Sequence, residues 1–272
     1  MKYIPKVIHY CWFGGKEKPI SVDNCIKSWK KYCPDYILKE WNEENFDIHS
    51  NRYVEEAYNS KKYAFVTDYV RLFALYSEGG IYMDTDVEVL KPLDIFLSEN
   101  AFSSFENNDL IPTGIMGAKK GNKWIKSLLD EYKNLRFIRD DGSYDLTTNV
   151  HRITDITEKK FDLVRKSSFQ KLKNGVVTIY PYDYFCPKDW KTGNINITKN
   201  TYTIHHFSGS WLSAEEKLKI DIIQKYSKLY NKKGYDEKKV ERMSLFRYRI
   251  DFYLFHPKKL FNKIFEKVGK HR

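Results

Sequence analysis

Short, nearly continuous apolar runs alternate with stripes at helical spacing along most of this chain. Val7, Ile8 and Tyr10 to Phe13 make the first run, and residues 3–13 read as a strand buried on both faces. From Ser21 to Tyr32 the apolar positions Val22, Cys25, Ile26 and Trp29 recur as on a helix, with Ser21 as its N-cap. Tyr36 to Trp41 then reads as a second strand, and Arg52 to Ser60 as a short helix. Phe65, Tyr69, Leu72, Phe73 and Tyr76 form the stripe of a longer helix that Gly79-Gly80 closes. The segment Tyr82 to Val89 is rich in strand formers. Beyond Pro92 the rhythm loosens, with strands expected over 102–105, 115–118, 176–180 and 202–206 and a helix over 123–134. Strand and helix in alternation predict an α/β fold with a mostly parallel central sheet.

Two carboxylates punctuate that pattern. Asp84 and Asp86 flank Thr85, and in a strand, side chains two apart point the same way. A pair so placed suits a hard divalent cation, since Mg²⁺ and Mn²⁺ take oxygen ligands and commonly share them with substrate phosphates. In open α/β sheets ligands sit outside the carboxyl ends of strands, where Trp12-Phe13-Gly14-Gly15 and Asp84-Thr85-Asp86 both fall. Asp68 and Arg71 share one face of the preceding helix. That spacing fits an intrahelical salt bridge, and it equally fits a carboxylate and a guanidinium set to bind sugar hydroxyls.

Composition narrows the setting. The 272 residues show no linker, repeat or low-complexity tract, and aromatic residues reach 16%. Met1 to Val7 lacks a secretory apolar region, and no apolar run approaches a membrane span. Cys11, Cys25, Cys33 and Cys186 lack C-x-x-C spacing, so they read as reduced thiols in a cytoplasmic protein. The net charge of +11 is uneven: residues 232–272 hold 13 Lys and Arg against 5 Asp and Glu. We therefore expect a catalytic domain over 1–231 and a basic helical tail over 232–272. Within that tail Pro257 can open a helix whose stripe is Leu260, Phe261, Ile264, Phe265 and Val268, among lysines. This is the signature of peripheral association with an anionic membrane, or of a helix packed on its own domain. A high pI also raises nucleic-acid binding or a metal-dependent nuclease, but the charge gathers in an amphipathic tail rather than in a stripe across the body. No nucleic-acid partner is expected.

Four blocks stand in order: Ile4-Pro5-Lys6-Val7-Ile8-His9-Tyr10-Cys11-Trp12-Phe13-Gly14-Gly15, Thr67-Asp68-Tyr69-Val70-Arg71, Gly79-Gly80-Ile81-Tyr82-Met83-Asp84-Thr85-Asp86, and His205-His206-Phe207-Ser208-Gly209-Ser210-Trp211. Together they resemble the glycosyltransferases whose sugar-binding region contains the DXD motif. That group includes α-1,6-mannosyltransferase-like and bacterial capsular or lipopolysaccharide enzymes, and is related to the glucosyltransferase domain of the large clostridial toxins. The resemblance implies a GT-A type fold and a retaining, metal-dependent transfer from a nucleotide-diphosphate sugar, a UDP-sugar, to a glycan or lipid-linked glycan acceptor. It implies Mn²⁺ or Mg²⁺ held by Asp86 and His206, with Asp84 through water and Ser210 as further ligands, and it favours His206 over His205. Trp12 would stack on the base. Asn42, Thr67, Asp68, Arg71, Tyr82, Asp84, Ser210 and Trp211 would bind the nucleotide sugar, with Arg71, Asp84 and Asp86 catalytic. Relatives carry a Gly/Pro/Thr-containing loop near the acceptor. Asp145 to His151 takes that place here without the Gly-Pro, leaving Thr148 and Asn149 as the acceptor region. An intact D-x-D argues against an inactive sugar-nucleotide sensor.

Overall fold

The computed structural model describes residues 2–209, 212 and 214–255. These divide into two compact units, residues 1–188 with 196–211 and residues 189–195 with 212–272. In the first unit, β1 (Val7–Cys11) lies between β2 (Ile37–Trp41) and β3 (Gly80–Met83) with parallel pairing to both. Beyond β3 come β6 (Ile115–Ala118), β5 (Ala101–Ser104), β8 (Val177–Tyr180) and β7 (Gln170–Leu172), completing a seven-stranded sheet of order β2-β1-β3-β6-β5-β8-β7. Five strands run one way; only β6 and β7 run against them. The expected mostly parallel α/β sheet is therefore present. A separate two-stranded ribbon pairs β4 (Val87–Val89) with β9 (Thr203–His205).

Alternation along β3 shows how the sheet is covered. Ile81 and Met83 join one core cluster with Cys25 and Trp29 of α1 (Ile20–Tyr32), while Tyr82 joins the other. That second cluster is supplied by α2 (Arg52–Asn59), α3 (Tyr63–Ser77), α4 (Lys123–Glu131) and α5 (Asn149–Phe161), through Val54, Val70, Leu72, Trp124 and Ile153. Side chains of one strand point alternately to two apolar layers, which is why the strands read as continuous apolar runs.

Two local expectations change. Ser21 is not the N-cap of α1: the helix starts at Ile20, and the Pro19 carbonyl accepts from the Val22 and Asp23 amides. Proline supplies the extended residue before the helix, and Ser21 falls inside its first turn. The D-x-D stretch is not one strand either. β3 stops at Met83, β4 starts at Val87, and the Val87 amide donates to the Asp84 carbonyl at 3.0 Å, so Asp84-Thr85-Asp86 is a turn.

α3 ends as its sequence predicts. Gly79 and Gly80 take φ of +74° and +116°, and a Cβ on Gly79 would lie 2.6 Å from the Lys120 amide nitrogen. Only glycine suits that backbone beside that neighbour. The buried His9 fixes the same turn, its Nε2 2.7 Å from the Gly79 carbonyl and its Nδ1 accepting from the Trp41 indole at 3.1 Å.

The second unit contains α6 (Ala214–Asn231) and α7 (Glu237–Phe255). They meet through Ser227 and Ser244, buried and 3.1 Å apart, and through the Tyr226 hydroxyl donating to Asp251 at 2.8 Å. Trp190 belongs to this unit by its carbonyl, which accepts from Gln224 at 2.7 Å. The division expected at residue 232 thus falls in the turn between α6 and α7, because these helices bury their faces on each other. The Leu260 to Val268 stripe lies outside the described residues. Among the described residues no helix is long and apolar enough to cross a membrane. All four cysteines are buried and unpaired.

Candidate active site

The D-x-D turn leaves the carboxyl end of β3, beside the carboxyl end of β1, and is pinned from both sides. Below, the Asp84 amide donates to the Gly114 carbonyl at 2.8 Å, ahead of β6. Above, β9 pairs antiparallel with β4, Val87 opposite His205, and the His206 amide donates to the Asp86 carbonyl at 2.9 Å. The β4–β9 ribbon therefore delivers one histidine to the turn. That histidine is His205: its Nε2 lies 3.2 Å from an Asp86 oxygen and 4.0 Å from an Asp84 oxygen.

This differs from the expected choice of His206. The His206 ring instead meets the Glu88 carboxylate at 2.9 Å. Adjacent residues at the end of a strand face opposite sides, and the register of β4 against β9 decides which side each takes. Gly114 leaves room for the His205 ring, since a Cβ there would stand 2.8 Å from Nδ1.

Asp84, Asp86 and His205 form a set whose ligand atoms all lie within 4.8 Å of one another. The two carboxylates suit a hard divalent cation such as Mn²⁺ or Mg²⁺, and the imidazole adds a nitrogen donor beside them. His205 Nδ1 is buried with no hydrogen-bond partner among the described residues. Burial would raise the Asp86 carboxyl, but the His205 charge and the Ser208 amide, which donates at 2.7 Å, hold it well below the usual carboxylate range. Burial would conversely lower the His205 imidazole, and Asp86 outweighs that, keeping it well above its ordinary value. His205 thus sets a positive charge against Asp86.

The other carboxylate belongs to a different network. Arg71, on α3, donates to Asp68 at 3.0 Å and to the Thr113 carbonyl at 2.6 Å, and approaches Asp84 at 3.2 Å. Its guanidinium lies 4.8 Å from the centre of the Tyr82 ring, whose hydroxyl donates to Asp84 at 2.8 Å. Burial would lower the Arg71 pKa, but Asp84 and its neighbours drive it upward, so its charge is permanent. Only 4% of Arg71 is exposed, which makes the guanidinium a strut between two carboxylates. Asn149, at the start of α5, adds its amide to Asp68 at 2.7 Å, while its Oδ1 is buried without a hydrogen-bond partner among the described residues. Burial pushes the Asp68 carboxyl up to about 6, with Arg71 and Asn149 opposing.

The remaining expected residues are more scattered. Trp12 follows β1, half-buried, with its indole donating to the Lys16 carbonyl at 2.5 Å and Lys18 5.7 Å from its ring. Thr67 turns its hydroxyl back to the Tyr63 carbonyl within α3. Asn42 shapes a turn, accepting from the Glu44 amide and donating to Glu40. Thr148 precedes α5 without capping it. Ser210 and Trp211 lie outside the described residues. Thr113, Gly114 and Glu88 were not singled out in the sequence. Pro112-Thr113-Gly114 is itself a Gly/Pro/Thr segment after the D-x-D, nearer to it than Asp145 to His151.

Comparison with known proteins meets this geometry at its centre. Residues 19–103 match the family described as the glycosyltransferase sugar-binding region containing DXD motif. The chain is 31% identical over 142 residues to inositol phosphoceramide mannosyltransferase 3 of Schizosaccharomyces pombe, across 49% of this chain and 38% of that one. It is 28% identical over 202 residues to subversion of eukaryotic traffic protein A of Legionella pneumophila, across 60% of this chain and 30% of that one. The chain thus spans well under half the length of these relatives. Among solved structures it is similar to the PaToxG glycosyltransferase, with a TM-score of 0.46 at 19% identity, covering 58% of this chain and 70% of that one. It is also similar to a glycosyltransferase involved in glycosylating the major capsid of PBCV-1, with a TM-score of 0.43 at 11% identity, covering 75% and 95%. Residues 19–103, which carry Asp68, Arg71, Asp84 and Asp86, are thus similar to the sugar-binding region of the DXD glycosyltransferases.

Proposed function

We propose that the protein is a GT-A type, metal-dependent hexosyltransferase that moves a sugar from a UDP-sugar to a glycan acceptor with retention of configuration. The observation that carries this reading is the convergence of Asp84, Asp86 and His205 at the carboxyl ends of β1 and β3. A divalent cation, Mn²⁺ or Mg²⁺, would supply neutralisation of charge on the departing diphosphate. Asp86 and His205 would hold it, and Asp84 would act beside it. His206, one residue on, serves in this reading as partner of Glu88.

The chain's own groups do the rest. Arg71 fixes Asp68 and Asp84 at a set separation. Asp68 and Asn149 then present polar atoms, including the open Asn149 Oδ1, to sugar hydroxyls. Trp12 offers a half-exposed ring for the base, as aromatic faces stack on any nucleobase. In this reading the net positive charge of the C-terminal region supports a position at the inner face of the cytoplasmic membrane, where the enzyme would build a capsule or lipopolysaccharide glycan on a lipid-linked acceptor. The deciding experiment is a thermal-shift screen of UDP- and GDP-sugars with and without Mn²⁺. A Mn²⁺-dependent rise in Tm with UDP and one UDP-sugar is expected; metal-independent shifts, or none, would refute the reading.

A further inference from the structure

The two units differ sharply in charge. Residues 212–272 hold 17 Lys and Arg against 8 Asp and Glu, a net +9, whereas the first 211 residues together contribute only +2. Within the described part of that basic region, α7 carries a distinctive face. Lys239, Arg242, Phe246 and Arg249 recur at intervals of three, four and three residues, so they lie on one side of the helix. All four are exposed, and Phe246 is 62% exposed. Val240 and Ser244, which are buried, and Asp251, which bonds to Tyr226 on α6, point to the other side. The basic face is therefore not the one that α7 uses against α6. Arg242, Met243 and Phe246 line an open depression of about 390 Å³. Arg242 and Arg249 have no ion-pair partner among the described residues, although Lys239 sits 4.1 Å from the centre of the Tyr235 ring.

We propose that this face of α7 docks on an anionic phospholipid surface, with Phe246 entering the headgroup region and Arg242, Arg249 and Lys239 binding lipid phosphates. The proposal deepens the membrane-side placement put forward above, which it supplies with a surface. Charge complementarity commits it to that occupant. Guanidinium groups bind phosphate through two parallel hydrogen bonds, and a helix laid in the interface carries basic residues around an apolar anchor. An exposed phenylalanine flanked by cations costs less in that setting than in water. Since no described helix is able to span a bilayer, such docking would be peripheral.

The test uses the full chain and sedimentation with phosphatidylcholine vesicles, with and without phosphatidylglycerol. Wild type should partition onto the phosphatidylglycerol vesicles and release as salt is raised. Arg242→Gln with Arg249→Gln should weaken that partition about tenfold or more, and Phe246→Ser should weaken it at unchanged charge. Lys30→Gln with Lys31→Gln, exposed positions on α1, serves as the charge-matched control and should bind as wild type does. Circular dichroism and Tm, measured on every variant, identify any that misfold, and Phe246→Ser and the arginine pair probe the same face independently. Equal binding to neutral vesicles, equal loss in the control, or unchanged binding of folded α7 variants would overturn the proposal. Retention on polyglutamate or DNA but not on vesicles would also overturn it. The UDP thermal shift reads the transferase assignment separately, so either conclusion can fail alone.

Discussion

Asp84 and Asp86 are separated by one residue yet sit in opposite electrical settings. Asp84 belongs to a network in which the buried Arg71, the Tyr82 hydroxyl and the Thr113 carbonyl satisfy one another. Asp86 faces the histidine side, where its countercharge is a titratable imidazole and an amide from the Ser208 loop. It also lines an open cavity of about 350 Å³ with Ser21, Asn24, Cys25, Glu88, His206 and Ser208. One carboxylate is held by a permanent cation, and the other by a cation the protein is able to give up. A guanidinium stays charged at any physiological pH, whereas an imidazole loses its proton to become a metal ligand. The arrangement divides labour across a three-residue turn: a rigid side that sets geometry, and an exchangeable side that receives a cation.

The largest effect that would break this division is on the exchangeable side. Asp86→Asn should cost some stability, because the carboxylate it removes is one that the His205 charge and the Ser208 amide hold well below the usual range, yet it should leave a folded protein. It should nevertheless lower transfer by about 10³-fold or more, the several kcal/mol that a metal's charge supplies in the transition state. Turnover that remains Mn²⁺-dependent and near normal would remove Asp86 from the metal site. On the rigid side the pattern should differ. Arg71→Lys keeps the charge but loses the planar fork that reaches Asp68, Asp84 and the Thr67 and Thr113 carbonyls, leaving buried acceptors unpaired at about 1–3 kcal/mol each. It should lose both Tm and activity, with activity falling about tenfold or more. Full activity at reduced Tm would make Arg71 a purely structural strut.

The two histidines sharpen the same contrast. His205→Ala should abolish the Mn²⁺-dependent part of the UDP thermal shift, because it deletes the only imidazole at the aspartate pair among the described residues. His206→Ala should reduce it by less, since that ring meets Glu88. The opposite order would show that donor binding turns the β9 end by one residue and exchanges the rings.

That pair also marks where the sequence becomes hard to read. The α3 stripe put Asp68 and Arg71 on one face, and the D-x-D fell at the carboxyl end of a strand. Both follow from local periodicity, which the chain states plainly. Whether His205 or His206 reaches the turn depends on the pairing of Val87 with His205, and a slip of one residue exchanges the faces of a strand. No spacing within either segment encodes that register. The convergence of Asp84 and Asp86 was expected from a strand and arises in a turn, where Thr85 is compatible with both. The approach of Asn149 to Asp68 bridges 81 residues of chain. It depends on where the start of α5 comes to lie in the folded chain, not on any motif.

The smallest expected effect lies in the rigid network and reads its burial directly. Asp68 has a folded-state pKa of about 6 against an ordinary carboxylate value of 3.8, because burial outweighs Arg71 and Asn149. A raised acid pKa means that the unfolded chain releases the proton first as pH rises. Between about pH 4 and 6 the folded state therefore holds more protons, and this group lowers stability as pH increases through that window. Below pH 4 both states are protonated and the contribution is flat; above 6 both are ionised and the loss is complete. Chemical denaturation of wild type across that window should show this loss, at most about 2–3 kcal/mol, superimposed on the titration of other groups. Asp68→Asn removes the titrating proton, and subtracting its profile should isolate a downward slope confined to that window. A slope of opposite sign would mean that Arg71 and Asn149 dominate, and that the rigid side is a strong ion pair rather than a buried carboxylate held at a cost.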